Sequence, residues 1–295
     1  MAKIREEYVD FRGFKTYCKI VGENQPGKKT LLVLHGGPGD CHNYLLPYAD
    51  IADRFGRQVV FYDQIGCGKS MIPHQEDDFY NYELWMDEFY TVRKALGLDD
   101  IHLFGNSWGG MLGMLCMMKD DAGVNSFVIN SSPVRIATWL SEANRLLTYL
   151  PEDMQKALAE AERTGNYDTP EAKAASDEYY KRHVVGLYEK DYPDYIQDSF
   201  NNVGECFMVM QGASEFVVTG KMKDWDIRDQ VGKIKVPCMA LSGTDDEGTP
   251  LTIKEGVDLI PNCKWTLIQG AAHIANTTHR EECITAVENF ISQYE

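Results

Sequence analysis

Hydrophobic positions along the chain keep two different periods, and each predicts a different element. Runs over Tyr8–Phe14 and Thr16–Val21 alternate as strands do and read as an antiparallel entry pair. The next runs, Thr30–Leu34, Val59–Tyr62, Ile101–Phe104 and Phe127–Ile129, are short, continuous and rich in β-branched residues. A strand apolar at successive positions must be covered on both faces, as in a parallel sheet between layers of helix. Between these runs the period lengthens. Trp85, Phe89, Val92 and Leu96 fall on one face of a helix predicted over Tyr82–Leu96, which Gly97 stops.

After Pro133 about 90 residues show no strand pattern and carry Glu/Ala/Lys-rich stretches at 151–163 and 170–182. Strand runs resume at Val236–Leu241 and Trp265–Ile268. The chain closes on an amphipathic helix, for which Thr278 and Glu281 would form a capping box. The expected class is α/β: a mostly parallel central sheet with a helical cap inserted after the sixth strand. The expected division is a core of 1–133 and 224–295 and a cap of 134–223.

Composition narrows the partners. With 44% hydrophobic residues in 295, a large core is available. The excess of 45 Asp+Glu over 29 Lys+Arg gives a net charge of -16, which repels a phosphate backbone, so no nucleic-acid partner is expected. No apolar run reaches the length of a membrane span, and the charged first ten residues carry no signal-peptide pattern. The eight cysteines lack C-x-x-C or ligand spacing. They read as reduced thiols in a cytoplasmic protein without a metal site.

The strongest chemical signal is Gly105-Asn106-Ser107-Trp108-Gly109, a G-x-S-x-G pattern between the strand ending at Phe104 and the helix-forming run Met111–Met118. Such a strand-to-helix turn exposes the serine hydroxyl. A hydroxyl is a weak nucleophile that needs a base, and the base needs an orienting carboxylate. Asp246, with Asp245 as second choice, lies at the carboxyl end of the strand through Leu241, and His273 follows the last strand. His279 falls in the expected final helix and reads as solvated. Oxyanion donors are expected from the Trp108 amide and from Gly37 in His35-Gly36-Gly37-Pro38-Gly39. Gly68-Lys69-Ser70 looks like the end of a phosphate-binding loop, but Asp63 stands where that loop's first glycine belongs, and the pattern fails.

Taken together, His35–Gly39, the block Asp63–Ser70, Gly105–Gly110, and Met210–Phe216 followed by Gly220 and Trp225-Asp226 resemble the prolyl aminopeptidases, also called proline iminopeptidases, of the α/β-hydrolases. The resemblance spans nearly the whole chain. It implies the α/β-hydrolase fold and a cofactor-free serine aminopeptidase that releases an N-terminal residue, preferably proline, from short peptides or amides. It also implies that Glu215 in the cap and Glu247 directly after the triad acid hold the free α-amine. Paired carboxylates recognise a cationic terminus and reject a blocked one. The alternative on the same triad is an L-amino acid amidase or a carboxylesterase. Ile65 replaces the family's usual arginine, Asn106 replaces a glycine, and 276–280 replaces a Trp-Glu-Asp-Arg stretch. Tyr44, Trp108 and Phe207 are candidates for contact with the first side chain.

Overall fold

The computed structural model describes residues 2–295. Among them eight strands form one sheet: β1 (Ile4–Phe11), β2 (Phe14–Val21), β3 (Thr30–Leu34), β4 (Val59–Tyr62), β5 (Ile101–Asn106), β6 (Val124–Asn130), β7 (Cys238–Gly243) and β8 (Lys264–Ile268). Their spatial order is β1-β2-β4-β3-β5-β6-β7-β8. β2 pairs antiparallel with β1 and β4, and every later pairing is parallel.

The continuous apolar runs have the expected cause. Leu32, Leu34, Val60, Tyr62 and Leu103 join one core, while Leu31, Val33, Val59, Phe61 and Phe104 join another. Alternate residues thus bury on opposite faces of the sheet. β8 differs because it is an edge strand, and Lys264 and Leu267 are exposed. The Tyr8–Phe14 run is not one strand. Arg12 and Gly13 have φ of 47° and 84°, a two-residue turn whose twist suits a hairpin, so Phe11 ends β1 and Phe14 opens β2.

Three helices flank the first strands: α1 (Asp50–Phe55), α2 (Tyr82–Ala95) and α3 (Trp108–Lys119). The Asn81 side chain caps α2 by accepting the Leu84 amide, and Trp85, Phe89 and Val92 are buried as their spacing predicts. α3 is apolar along almost its whole length because nearly all of it is buried.

Between β6 and β7 the chain is helical: α4 (Ile136–Leu147), α5 (Glu152–Thr164), α6 (Pro170–Tyr179), α7 (Asp194–Asn201) and α8 (Cys206–Met210). A backbone bridge between Arg135 and Asp226 ties the chain entering this segment to the chain leaving it. The helix expected to run to Arg182 stops at Tyr179, and a π-helical turn over Tyr180–Val184 continues it. The chain then adds α9 (Pro250–Leu259), α10 (Ala275–Thr278) and α11 (Arg280–Ile291). The expected capping box does not form. Residues 275–278 are already helical, His279 precedes α11, and the Thr278 hydroxyl bonds the His279 ring (2.9 Å) instead.

Candidate active site

β5 delivers Ser107 at a sharp turn, and α3 begins at the next residue. Ser107 holds φ 53° and ψ −122°, a conformation costly for a side chain with a Cβ. Its amide donates to the Asn130 carbonyl (2.8 Å), and its own carbonyl accepts the Gly110 and Met111 amides (3.0 and 3.2 Å). The flanking glycines are required sterically. A Cβ on Gly105 would lie 2.3 Å from the Gly109 carbonyl oxygen, and one on Gly109 would lie 2.3 Å from that of Leu34.

Loops at the carboxyl ends of β7 and β8 carry Asp246 and His273, the candidate acid and base. His273 Nδ1–H donates to Asp246 Oδ1 at 2.8 Å. That oxygen also accepts the Gly248 amide (2.7 Å), and Oδ2 accepts the Ser131 hydroxyl (2.6 Å). The second-choice acid, Asp245, points elsewhere: it is exposed and accepts from the Thr244 hydroxyl. His279 is partly exposed and takes no part in this arrangement. Burial pushes the His273 imidazole down. The charge and hydrogen bond of Asp246, with the charges of Glu215 and Asp40, outweigh it, and the pKa lies above the ordinary value.

Ser107 and His273 face one chamber of about 180 Å³, together with Gly37, Tyr44, Glu215 and Glu247. Neither the Gly37 nor the Trp108 amide finds an acceptor among the described residues. Trp108 is also the first residue of α3, where the helix dipole favours negative charge. Glu247 is 2% exposed, and its Oε2 has no hydrogen-bond partner. Glu215 accepts from the Gln211 amide nitrogen (3.1 Å). Burial raises both carboxyls, and the charge of Glu215 raises Glu247 further. No Lys or Arg lines the chamber. Buried carboxylates are costly without a cation, so the site lacks a positive charge that a ligand can supply.

A family model described as the alpha/beta hydrolase fold matches residues 29–279. Proline iminopeptidase of Lacticaseibacillus rhamnosus (strain Lc 705) is 39% identical, over 98% of this chain and 99% of the relative. That of Clostridioides difficile (strain 630) is 37% identical over the same shares. The chain belongs to the proline iminopeptidase family of α/β-hydrolases. Among solved structures, the proline iminopeptidase of Mycobacterium smegmatis superposes with a TM-score of 0.92 at 33% identity, covering 98% of each chain. VinJ superposes at 0.94 and 32% identity, covering 99% of each.

The family's loop motifs appear here as mutual fastenings. Asp63 accepts the His42 and Lys69 amides (both 2.8 Å) and the His42 ring, while the Ser70 hydroxyl donates to the Asp63 carbonyl (2.6 Å). Gln64 donates to the His35 carbonyl (3.0 Å) and accepts from the Trp108 indole (2.8 Å), so three loops meet behind Ser107. The departures have local partners as well. The Ile65 amide donates to the buried Glu88 carboxylate (2.9 and 3.0 Å). The Tyr44 hydroxyl accepts the Gly36 amide and donates to Asn106 (both 2.7 Å). Asn276 donates to the Tyr44 carbonyl (2.7 Å).

Four participants escaped sequence reasoning. Ser131, at φ 53° directly after β6, orients Asp246. Asp40 lines the chamber, and burial pushes it up to about 6, with His273 pulling the other way. Tyr180 lines the chamber from the π turn. The His183 carbonyl accepts the amides of both Glu247 (3.1 Å) and His273 (3.0 Å). Asp40 left a trace, since it directly follows the motif His35–Gly39 at the carboxyl end of β3. The contacts of the π turn left none.

Proposed function

We propose that this chain is a serine aminopeptidase that releases an N-terminal residue, preferably proline, from short unblocked peptides or amides through an acyl-enzyme. In this reading Glu215 and Glu247 hold the substrate's ammonium and so fix its carbonyl at Ser107. His273 takes the Ser107 proton as the hydroxyl oxygen bonds the carbonyl carbon, and the Gly37 and Trp108 amides receive the oxyanion. Asp246 keeps the imidazole in the tautomer whose Nε2 accepts the proton and stabilises the imidazolium. The imidazolium then protonates the departing amine as the C–N bond breaks. Water, deprotonated by His273, attacks the ester, and the serine leaves with the proton.

The observation that carries this reading is the pair of buried acids, one oxygen unpartnered, in the same chamber as Ser107 with no Lys or Arg beside them. An esterase has no use for that arrangement. The apolar walls beside Ser107 (Trp108, Pro133, Trp139 and Met222) support an apolar first residue. Helices 134–223 would act as the cap that limits substrates to short chains. Eight free cysteines support a reducing compartment such as the cytoplasm.

The test is a paired assay of prolyl-coumarylamide and its N-acetylated form, with alanyl and leucyl analogues alongside. Rapid cleavage of the free amine and loss of the acetylated form are expected, with proline ahead of alanine. Equal cleavage of both forms would make the protein an esterase or general amidase.

A further inference from the structure

Two cavities border the catalytic chamber, and they differ greatly in size. A slot of about 20 Å³ shares Gly37, Ser107 and Glu215 with the chamber. On another side a cleft of about 920 Å³ opens among the helices between β6 and β7, and it shares Tyr180 and Phe200 with the chamber. The two rings meet edge-on with centroids 6.1 Å apart. Tyr180 sits in the π turn, and after its burial the charges of Glu215, Glu247 and Asp40 act most on its phenol. Tyr180 and Phe200 thus stand between the acid-lined interior and the cleft.

The aminopeptidase reading, on which this inference rests, fixes the polarity of a bound chain. The amine ends at Glu215 and Glu247, and whatever follows the scissile bond must leave the chamber. The slot cannot take it. The cleft can, and its partly apolar walls also carry polar groups: Tyr167, Lys173, Asp177, Lys190 and Gln197 supply donors and acceptors suited to peptide groups, beside the acids Asp168 and Glu189. Its two lysines stand among the three acids Asp168, Asp177 and Glu189, so a carboxylate can be received only at a lysine that has no acid partner. Lys173 is paired with Asp168 (3.0 Å), but exposed Lys190 has no carboxylate partner among the described residues and lies 6.0 Å over the Tyr188 ring.

We propose that this cleft binds the leaving-group side of an unblocked oligopeptide, with the touching rings of Tyr180 and Phe200 as the wall past which the chain leaves the chamber and Lys190 as the receiver of its terminal carboxylate. The preferred substrates are then peptides of several residues with a free carboxyl end, ahead of amino acid amides. A pairing of carboxylate with ammonium at the cleft rim is worth little when solvated and more as the peptide excludes water.

The experiment compares kcat/KM for proline amide, for the tetrapeptide Pro-Ala-Ala-Ala, and for that tetrapeptide with its carboxyl end amidated. The protein should favour the free tetrapeptide over its amidated form several-fold and over proline amide by about tenfold. Lys190→Glu should abolish or reverse the preference for the free carboxylate. Phe200→Trp, which enlarges that wall toward the passage, should lower the ratio of tetrapeptide to proline amide by about tenfold. Turnover of proline amide without any preference for the free tetrapeptide, or a preference that Lys190→Glu leaves unchanged, overturns the cleft assignment alone. Failure to hydrolyse any free-amine substrate overturns the aminopeptidase reading and this inference with it.

Discussion

Asp40, Glu215 and Glu247 keep their protons to higher pH than free carboxyls because burial removes water from the charged form, and the last two also feel neighbouring acids. Asp40 in turn raises both His273 and Glu215. In the proposed mechanism His273 is a base when neutral and Glu215 holds an ammonium when ionised, so kcat/KM should rise with pH through values above the ordinary ones of both groups. Asp40→Asn removes a negative charge that both feel. Its acid limb should move to lower pH, and a superimposable pH profile would refute the coupling. Glu247→Gln tests binding and stability together. It should lower kcat/KM for prolyl substrates by roughly a hundredfold, since it leaves the ammonium without its partner. Because the folded pKa of Glu247 lies above the unfolded one, its contribution to stability is present in acid and lost as pH rises through the folded value. The variant's Tm should therefore exceed that of the native chain by a few degrees at pH values above the Glu247 titration, and not in acid. An unchanged Tm would show that the chamber stores no such repulsion.

The π turn over Tyr180–Val184 does for the site what no strand does. The His183 carbonyl holds the Glu247 and His273 amides, the Val184 carbonyl holds that of Ile274 (2.7 Å), and the His183 ring donates to the Asp245 carbonyl (2.8 Å). One turn thus clips the acid loop and the base loop together. Cutting the ring contact in His183→Ala should lower kcat/KM about tenfold by letting both loops shift, while His183→Asn, which keeps a donor, should retain most activity. Steady-state kinetics on a prolyl substrate decide it, and full activity in the alanine variant would leave the turn without this role. The turn was illegible because its bonds run from backbone carbonyls, which every residue has, to amides more than 60 positions away. The strands and α2 were legible because their periods are local.

At the scale of the whole molecule, the C-terminal segment is fastened through one buried cation. Arg57, fully buried just before β4, donates to both oxygens of Glu288 in α11 (2.9 and 3.1 Å), to the Lys29 carbonyl (2.6 Å) and to Glu295. Arg57→Ala would leave the Glu288 carboxylate with only Lys28 (3.0 Å) and the Ser292 hydroxyl (2.7 Å) and should cost about 1–3 kcal/mol. Urea unfolding should show a lower midpoint with an unchanged slope, and a loss under about 1 kcal/mol would mean that water replaces the pair. The sequence by itself determined the element types, the mostly parallel sheet with its helical insertion, and the candidates Ser107, Asp246 and His273 in that order. Those follow from side-chain periods and from turn residues within a few positions of one another, which the chain's own geometry imposes. Only the tertiary structure decided that Asp40 shares a chamber with Glu215, that Ser131 steadies Asp246, and that Tyr180 and Phe200 stand between chamber and cleft. Burial and charge proximity are sums over segments far apart in sequence, and they acquire values only once the sheet has gathered those segments at its carboxyl edge.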